Sequence, residues 1–157
     1  MLKKVFILIA IIITVSACGL FKKKQPPPPL EPTRVVIEFE AAGDINLDPN
    51  GRTSPVVLRI YQLKSYSAFK RVDFLSLYDN DEEVLGKDLL NKKEIILKPN
   101  EKRTVFFSEI PDETRTLGVF AVFRNYEEAK WNVATGVQPN KTNVINIYVS
   151  GNSLTNR

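Results

Sequence analysis

Short apolar runs of period two, fenced by proline turns, constrain this chain more than any other feature. In Val35-Val36-Ile37-Glu38-Phe39-Glu40-Ala41, alternation sets Ile37, Phe39 and Ala41 on one side and Glu38 and Glu40 on the other. That is a strand with one face in a core. The run from Pro55 to Leu63 turns Val56, Leu58 and Ile60 one way, and Val57, Tyr61 and Leu63 the other, so both of its faces meet apolar surroundings. Further strands are expected at Lys93–Leu97, Thr104–Ser108, Leu117–Phe123, Asn132–Gly136 and Asn143–Val149. The turns Lys98-Pro99-Asn100-Glu101, Ile110-Pro111-Asp112-Glu113 and Gln138-Pro139-Asn140-Lys141 separate them, each with a proline suited to start a turn. Strands this short at this spacing predict an all-β, antiparallel sandwich. Its expected core contains Ile37, Phe39, Leu58, Ile60, Phe120 and Val122, with Trp131 and the other aromatics mostly packed.

The period changes between Ser65 and Asn91. Phe69, Asp73, Phe74, Leu77 and Tyr78 can share a helical face, and Asp81 can cap a second short helix, so a small two-helix insertion is expected to cover part of one sheet. The Asn80-Asp81-Glu82-Glu83 cluster lacks the spaced oxygen ligands and glycine of a calcium loop, and reads as a solvated cap.

Ahead of the first strand the composition is different. Lys3 and Lys4, the apolar run Val5–Ile13 and the small residues before Cys18 have the layout of an export signal, and the run is too short for a membrane span of about 20 residues. Val15-Ser16-Ala17-Cys18 resembles a bacterial lipobox, with Val15 where Leu is commonest. Cys18 is the only cysteine, which leaves no intrachain disulfide and makes it the expected site of a covalent lipid. Diacylglycerol plus an amide-linked chain anchors stably, whereas one chain alone is marginal. Gly19 after the cysteine is compatible with forwarding to the outer membrane. The next segment, rich in Lys22, Lys23, Lys24 and Pro26–Pro29, favours extended polyproline II and can span roughly 45 Å at about 3.1 Å per residue. The expected organisation is a signal peptide over 1–17, a lipidated start and linker over 18–33, a sandwich over 34–150 and a tail over 151–157.

Charge and chemistry narrow the function. The net charge is +4, of which Lys3 and Lys4 belong to the signal, leaving +2. No basic stripe interleaved with aromatics marks the body as a nucleic-acid binder. The lysine triplet reads as a run beside lipid headgroups. The chain has no histidine, which removes Ser-His-Asp and Cys-His relays and His-ligated zinc, and no metal or cofactor is expected beyond the lipid.

The stretch Ala42–Ser54 is dense in turn formers, with Asp48-Pro49-Asn50-Gly51 able to turn on its proline and glycine. Ile45 and Leu47 are apolar within it. Either they tuck back over the sandwich, or they face a partner as an apolar centre rimmed by Asp44, Asn46 and Asp48. Periodicity does not choose between these.

A family resemblance bears on the choice. Asn46-Leu47-Asp48-Pro49, Gly51-Arg52 and Ser54-Pro55-Val56-Val57-Leu58-Arg59-Ile60-Tyr61-Gln62-Leu63-Lys64-Ser65 resemble the outer-membrane lipoprotein of the type VI secretion system, the TssJ (VasD, SciN) family. So do Asp73-Phe74-Leu75-Ser76-Leu77-Tyr78, Gly86-Lys87-Asp88-Leu89-Leu90, Leu117–Arg124 and Ala129-Lys130-Trp131. Thr53 stands where Pro is common in the family, and Asn132 where Arg often follows the Trp. The resemblance implies a transthyretin-like sandwich and a structural, non-enzymatic role, holding the periplasmic domain of the inner-membrane component TssM at the outer membrane. It also implies docking through the loop between the first two strands, here Gly43–Arg52. Within that loop Ile45, Leu47 and Pro49 are the expected apolar contact, and Asp44, Asn46 and Asp48 the expected orienting groups. Two alternatives remain: a periplasmic lipoprotein binding a small hydrophobic ligand between its sheets, and a transthyretin-like hydrolase, although such hydrolases rely on histidine.

Overall fold

The computed structural model describes residues 29–108 and 110–157. The export signal, Cys18 and Lys22–Lys24 lie outside them. Eight strands form two four-stranded sheets: β1 (Arg34–Ala41), β2 (Val56–Leu63), β3 (Leu89–Leu97), β4 (Lys102–Phe107), β5 (Thr116–Val122), β6 (Asn132–Gly136), β7 (Thr142–Ser150) and β8 (Ser153–Asn156). One sheet runs β4-β1-β7-β8 and the other β3-β2-β5-β6. All the pairings are antiparallel except β1 with β7, which run parallel with Arg34 opposite Thr142 and Ala41 opposite Val149. That register brings the start of β1 to the β6–β7 turn and its end to the β7–β8 turn.

Val35, Ile37, Phe39 and Ala41 of β1, Val56, Leu58 and Ile60 of β2, and Ile145, Ile147 and Val149 of β7 pack between the sheets in one cluster. The interior that a hydrophobic ligand would need is occupied by these side chains. Alternation reads β1 and β7 correctly because their other faces are polar or half-buried, while the second face of β2 buries Tyr61 and Leu63, as its apolar run predicts.

Strand β5 turns the other way. Leu117, Val119, Ala121 and Phe123 face the sandwich, while Phe120 is buried in a second cluster with Tyr61, Leu63, Phe69, Phe74, Leu77 and Leu85, and Val122 packs against it. Phe120 and Val122 are therefore not inter-sheet core. The run Thr116–Val122 carries no charged residue to mark a solvent side, so its parity is set by what covers it.

The cover is α1 (Ser67–Arg71) and α2 (Phe74–Leu85). Phe69 of α1 lies so close to β5 that a Cβ on Gly118 would meet its ring at 3.0 Å. Trp131 stands edge-on to Phe74 and Phe120, with centroids 5.6 Å from each. Asp73, expected on the apolar face, instead caps α2 by accepting the Ser76 N–H at 3.0 Å, which lowers its carboxyl pKa. At Asn80 the helix kinks (φ −137°, ψ 44°).

Past the kink Asp81 is buried, not a solvated cap. It accepts from the Tyr61 hydroxyl at 3.0 Å and from Lys92 at 3.0 Å, with Arg59 at 3.4 Å. Burial, and then the negative charge of Asp81, push the Tyr61 phenol upward in pKa. Three partners reaching from β2 and β3 make a buried carboxylate tolerable and bolt α2 to its sheet.

The expected tail over 151–157 is also corrected. Ser153–Asn156 forms β8 on β7, with Val149 opposite Leu154, and Leu154 completes the core cluster. Among the described residues no helix is long and apolar enough to cross a membrane.

Candidate functional site

At the end of the sandwich where β1 finishes, beside the β3–β4 turn whose Asn100 N–H donates to the Ala42 carbonyl, three connections meet: the β1–β2 loop, the β5–β6 loop and the β7–β8 turn. Asn46 joins them. Its backbone adopts a left-handed φ of 51°, which Asn tolerates better than most residues. Its N–H donates to the Gly151 carbonyl at 2.9 Å, its Nδ2 to the Pro55 carbonyl at 2.8 Å, and its Oδ1 accepts the Arg124 N–H at 2.9 Å. One residue, 3% exposed, thus fixes three loops as a single platform, two through its side chain and one through its main chain. Asp44 adds a contact to the same turn, its Oδ1 accepting the Gly151 N–H at 3.2 Å. Lys130 extends the seam, its N–H donating to the Asn152 carbonyl at 3.0 Å and its carbonyl accepting from Leu154 at 2.8 Å.

Ile45 does not face a partner. It is 0% exposed and belongs to the inter-sheet cluster, so the expectation that it forms part of an apolar contact is overturned. The loop divides at Asn46. Residues before it seal the sandwich, and residues after it project.

The projecting half is a small self-bonded turn. Gly51 N–H donates to the Asp48 carbonyl at 2.9 Å with φ +76° at the glycine, the turn expected from Asp48-Pro49-Asn50-Gly51. The Asp48 carboxylate accepts the N–H groups of Asn50 and Arg52 at 2.9 Å each, and pairs with Arg52 through Nε and Nη2 at 2.8 Å. The Arg52 N–H is the chief reason its pKa lies below the ordinary carboxylate value. Asp48 therefore shapes the tip with both oxygens engaged inside the loop.

Leu47 is half-buried and Pro49 exposed, and with Asp48, Arg124, Asn125 and Asn152 they line an open hollow on the platform. Of the six residues expected at the partner surface, Leu47 and Pro49 remain presented to solvent as apolar groups. Asp44, Asn46 and Asp48 are orienting groups for the loops themselves, and Ile45 is core. Sequence reasoning missed Arg124, Asn125 and Asn152 as parts of the same surface. Turn signals place them at strand ends, but those ends meet only through two pairings in different sheets, β1 with β7 for Asn152 and β2 with β5 for Arg124 and Asn125. Among the described residues no group of three His, Cys, Asp or Glu side chains is placed to hold a metal ion.

Residues 33–152 match the family model described as Type VI secretion lipoprotein, whose members include VasD, EvfM and TssJ. The chain belongs to the Type VI secretion lipoprotein family. It is 34% identical to the T6SS lipoprotein TssJ1 from Pseudomonas aeruginosa, covering 80% of this chain and 95% of that one with a TM-score of 0.76. A chain in the structure of the T6SS protein TssM C-terminal domain (869–1107) from EAEC is 30% identical, covering 78% of this chain and 99% of that one with a TM-score of 0.66. Serratia marcescens Lip, a membrane-bound component of the Type VI secretion system, shares the fold at 22% identity, 80% and 96% coverage and a TM-score of 0.74. No curated protein sequence matches the chain. The family and sandwich expected from the sequence motifs thus hold for this lipoprotein.

Proposed function

We propose that this lipoprotein is a structural adaptor of a type VI secretion membrane complex. It is anchored to the periplasmic face of the outer membrane through lipid on Cys18 and docks the periplasmic domain of a TssM-like inner-membrane component through the projecting half of the β1–β2 loop. The observation carrying this reading is the opposition of the two ends. Thr33 and Arg34, where the linker joins, are held at the β6–β7 turn: Asn140 N–H donates to Thr33 Oγ1 at 2.9 Å, and Arg34 N–H to the Lys141 carbonyl at 3.1 Å. Strand β1 then runs eight residues, about 25 Å at 3.3 Å per residue, before the chain reaches the loop platform. A lipid pulling at one end leaves the other free for protein. The occurrence of a similar chain in the TssM C-terminal domain structure supports a TssM-type partner.

The chemistry required is holding, not catalysis. Confining the lipoprotein to a membrane raises its effective concentration for a partner reaching the same surface, and several copies around an assembly multiply modest affinities. The test pairs the mature lipoprotein, solubilised in detergent, with the periplasmic domain of the TssM component of the same system. Saturable one-to-one binding is expected, and its absence contradicts the docking role. Metabolic labelling with a palmitate analogue addresses the anchor: wild type takes up label and Cys18→Ser does not, whereas an unlabelled wild type removes the lipid from the account.

A further inference from the structure

The two sheets differ in what lies outside them. Helices α1 and α2 cover the outer face of β3-β2-β5-β6, packing Phe69, Phe74 and Leu77 onto it, whereas among the described residues no helix lies over the outer face of β4-β1-β7-β8. On that bare face polarity is divided along the strands. Toward the platform Glu40 pairs with Lys102 at 3.1 Å, and the Arg157 guanidinium lies 3.6 Å over the Tyr148 ring. Toward the linker Val36 stands between Phe106 of β4 and Val144 of β7 in the strand registers, and Phe106 and Val144 are 55% and 60% exposed. Arg34 and its opposite Thr142 end the face. The apolar half is therefore the half beside the linker, which joins the sandwich at Arg34.

We propose that Val36, Phe106 and Val144 rest on the bilayer that holds Cys18, entering the boundary between headgroups and acyl chains with Arg34 at headgroup level. This rests on the lipid anchor above, not on the docking role, and adds how the sandwich sits on its membrane. A partner protein or a second copy needs more than this patch offers, since a stable interface takes about 800 Å² from each side and three side chains on an open sheet do not supply it. A bilayer asks for apolar area without matching shape, and a cation at the rim suits the headgroup phosphates. The tether supplies the rest. Gly19–Thr33, reaching roughly 45 Å at about 3.1 Å per residue, keeps the face within that distance of the lipid and raises the local concentration that a weak contact feels. Resting on its linker half, the sandwich lifts the β1–β2 loop, at the far end of β1, away from the surface.

The experiment places the mature lipoprotein in vesicles of phosphatidylethanolamine and phosphatidylglycerol that carry a nitroxide high on the acyl chains, with a fluorophore on one introduced cysteine. Quenching at Thr142→Cys, beside the apolar patch, is expected to exceed by at least about threefold that at Thr53→Cys in the β1–β2 loop and at Ser67→Cys on the helix-covered side, because the contact reaches only about 5–10 Å into the bilayer. Adding Phe106→Thr and Val144→Thr to the Thr142→Cys protein is expected to bring its quenching down to the Thr53→Cys level. The unfolding midpoint should stay at the wild-type value, since both side chains face solvent and threonine suits a strand. Equal quenching at the three sites, or quenching at Thr142→Cys that survives the two threonines, overturns the membrane contact. An unquenched Thr142→Cys protein that links to itself through a disulfide puts a second copy on the face and overturns it as well. A wild-type chain that does not float with the vesicles contradicts the anchor, and the contact with it.

Discussion

Ile45 and Leu47 differ by two positions in one loop and have opposite fates. Both are aliphatic and both are flanked by Asp or Asn, yet Ile45 is fully buried among strand residues and Leu47 lines a surface hollow. The residue between them makes the difference. At φ 51° Asn46 turns the backbone out of the extended conformation in which i and i+2 share a side, and its side chain and N–H together pin the turn to two other loops. The docking surface we propose here is thus a projecting turn on a fixed base, and the base is as dependent on sequence as the turn.

The largest expected effect comes from moving Ile45 across that divide. Ile45→Asp buries an unpaired charge in the inter-sheet cluster, and a loss of more than about 4 kcal/mol is expected, seen as failure to fold or a collapse of the melting transition. A well-folded Ile45→Asp protein would erase the contrast with Leu47. Asn46→Ala comes next. It leaves the Pro55 carbonyl and Arg124 N–H without their partner and puts alanine at positive φ, so about 2–4 kcal/mol should be lost in denaturant titration.

Gln62 sharpens the point with the opposite sign. It is 1% exposed and, unlike Asn46, its amide atoms have no partner in the protein. Gln62→Leu should therefore stabilise the domain by about 1 kcal/mol, the reverse of the Asn46 result, and a comparable destabilisation would show that the two buried amides do the same job.

The smallest effect concerns acid. Hydrogen bonds from Arg52 and Asn50 hold the Asp48 carboxyl below its ordinary value of 3.8. A lowered carboxylate pKa means the contribution is fully present above the ordinary value and is lost as pH falls through the lower folded one. The Asn50 and Arg52 amide resonances should keep their folded positions from neutral pH down to about 4 and shift below it. In Asp48→Asn that transition should vanish, and its persistence would place the titrating group elsewhere.

How much of this was legible in the sequence follows from where polarity marks a boundary. The strands with one polar face, β1 and β7, were readable to within a residue or two at their ends, because charged or amide side chains alternate with the core set, and β2 was readable as an apolar run between Pro55 and Lys64. β5 was located but turned to the wrong face, since Phe120 and Val119 are equally apolar and only the helices above decide. Ser153–Asn156 is too short and too polar to announce a strand, and gains its place from the β7 edge beside it. Asp81 looked like a cap because its partners Tyr61 and Lys92 are distant in the chain. The loop was found by composition and motif, but its division at Asn46 depends on Pro55, Arg124 and Gly151, which only the topology gathers.

The most direct measurement is the affinity of Leu47→Asp for the TssM periplasmic domain, taken with its unfolding midpoint. Leu47 projects from the platform, so stability should change by no more than about 0.5 kcal/mol while binding weakens at least about thirty-fold, the scale of a central apolar contact. A Leu47→Asp protein that is folded and binds its partner as tightly as wild type would contradict the account.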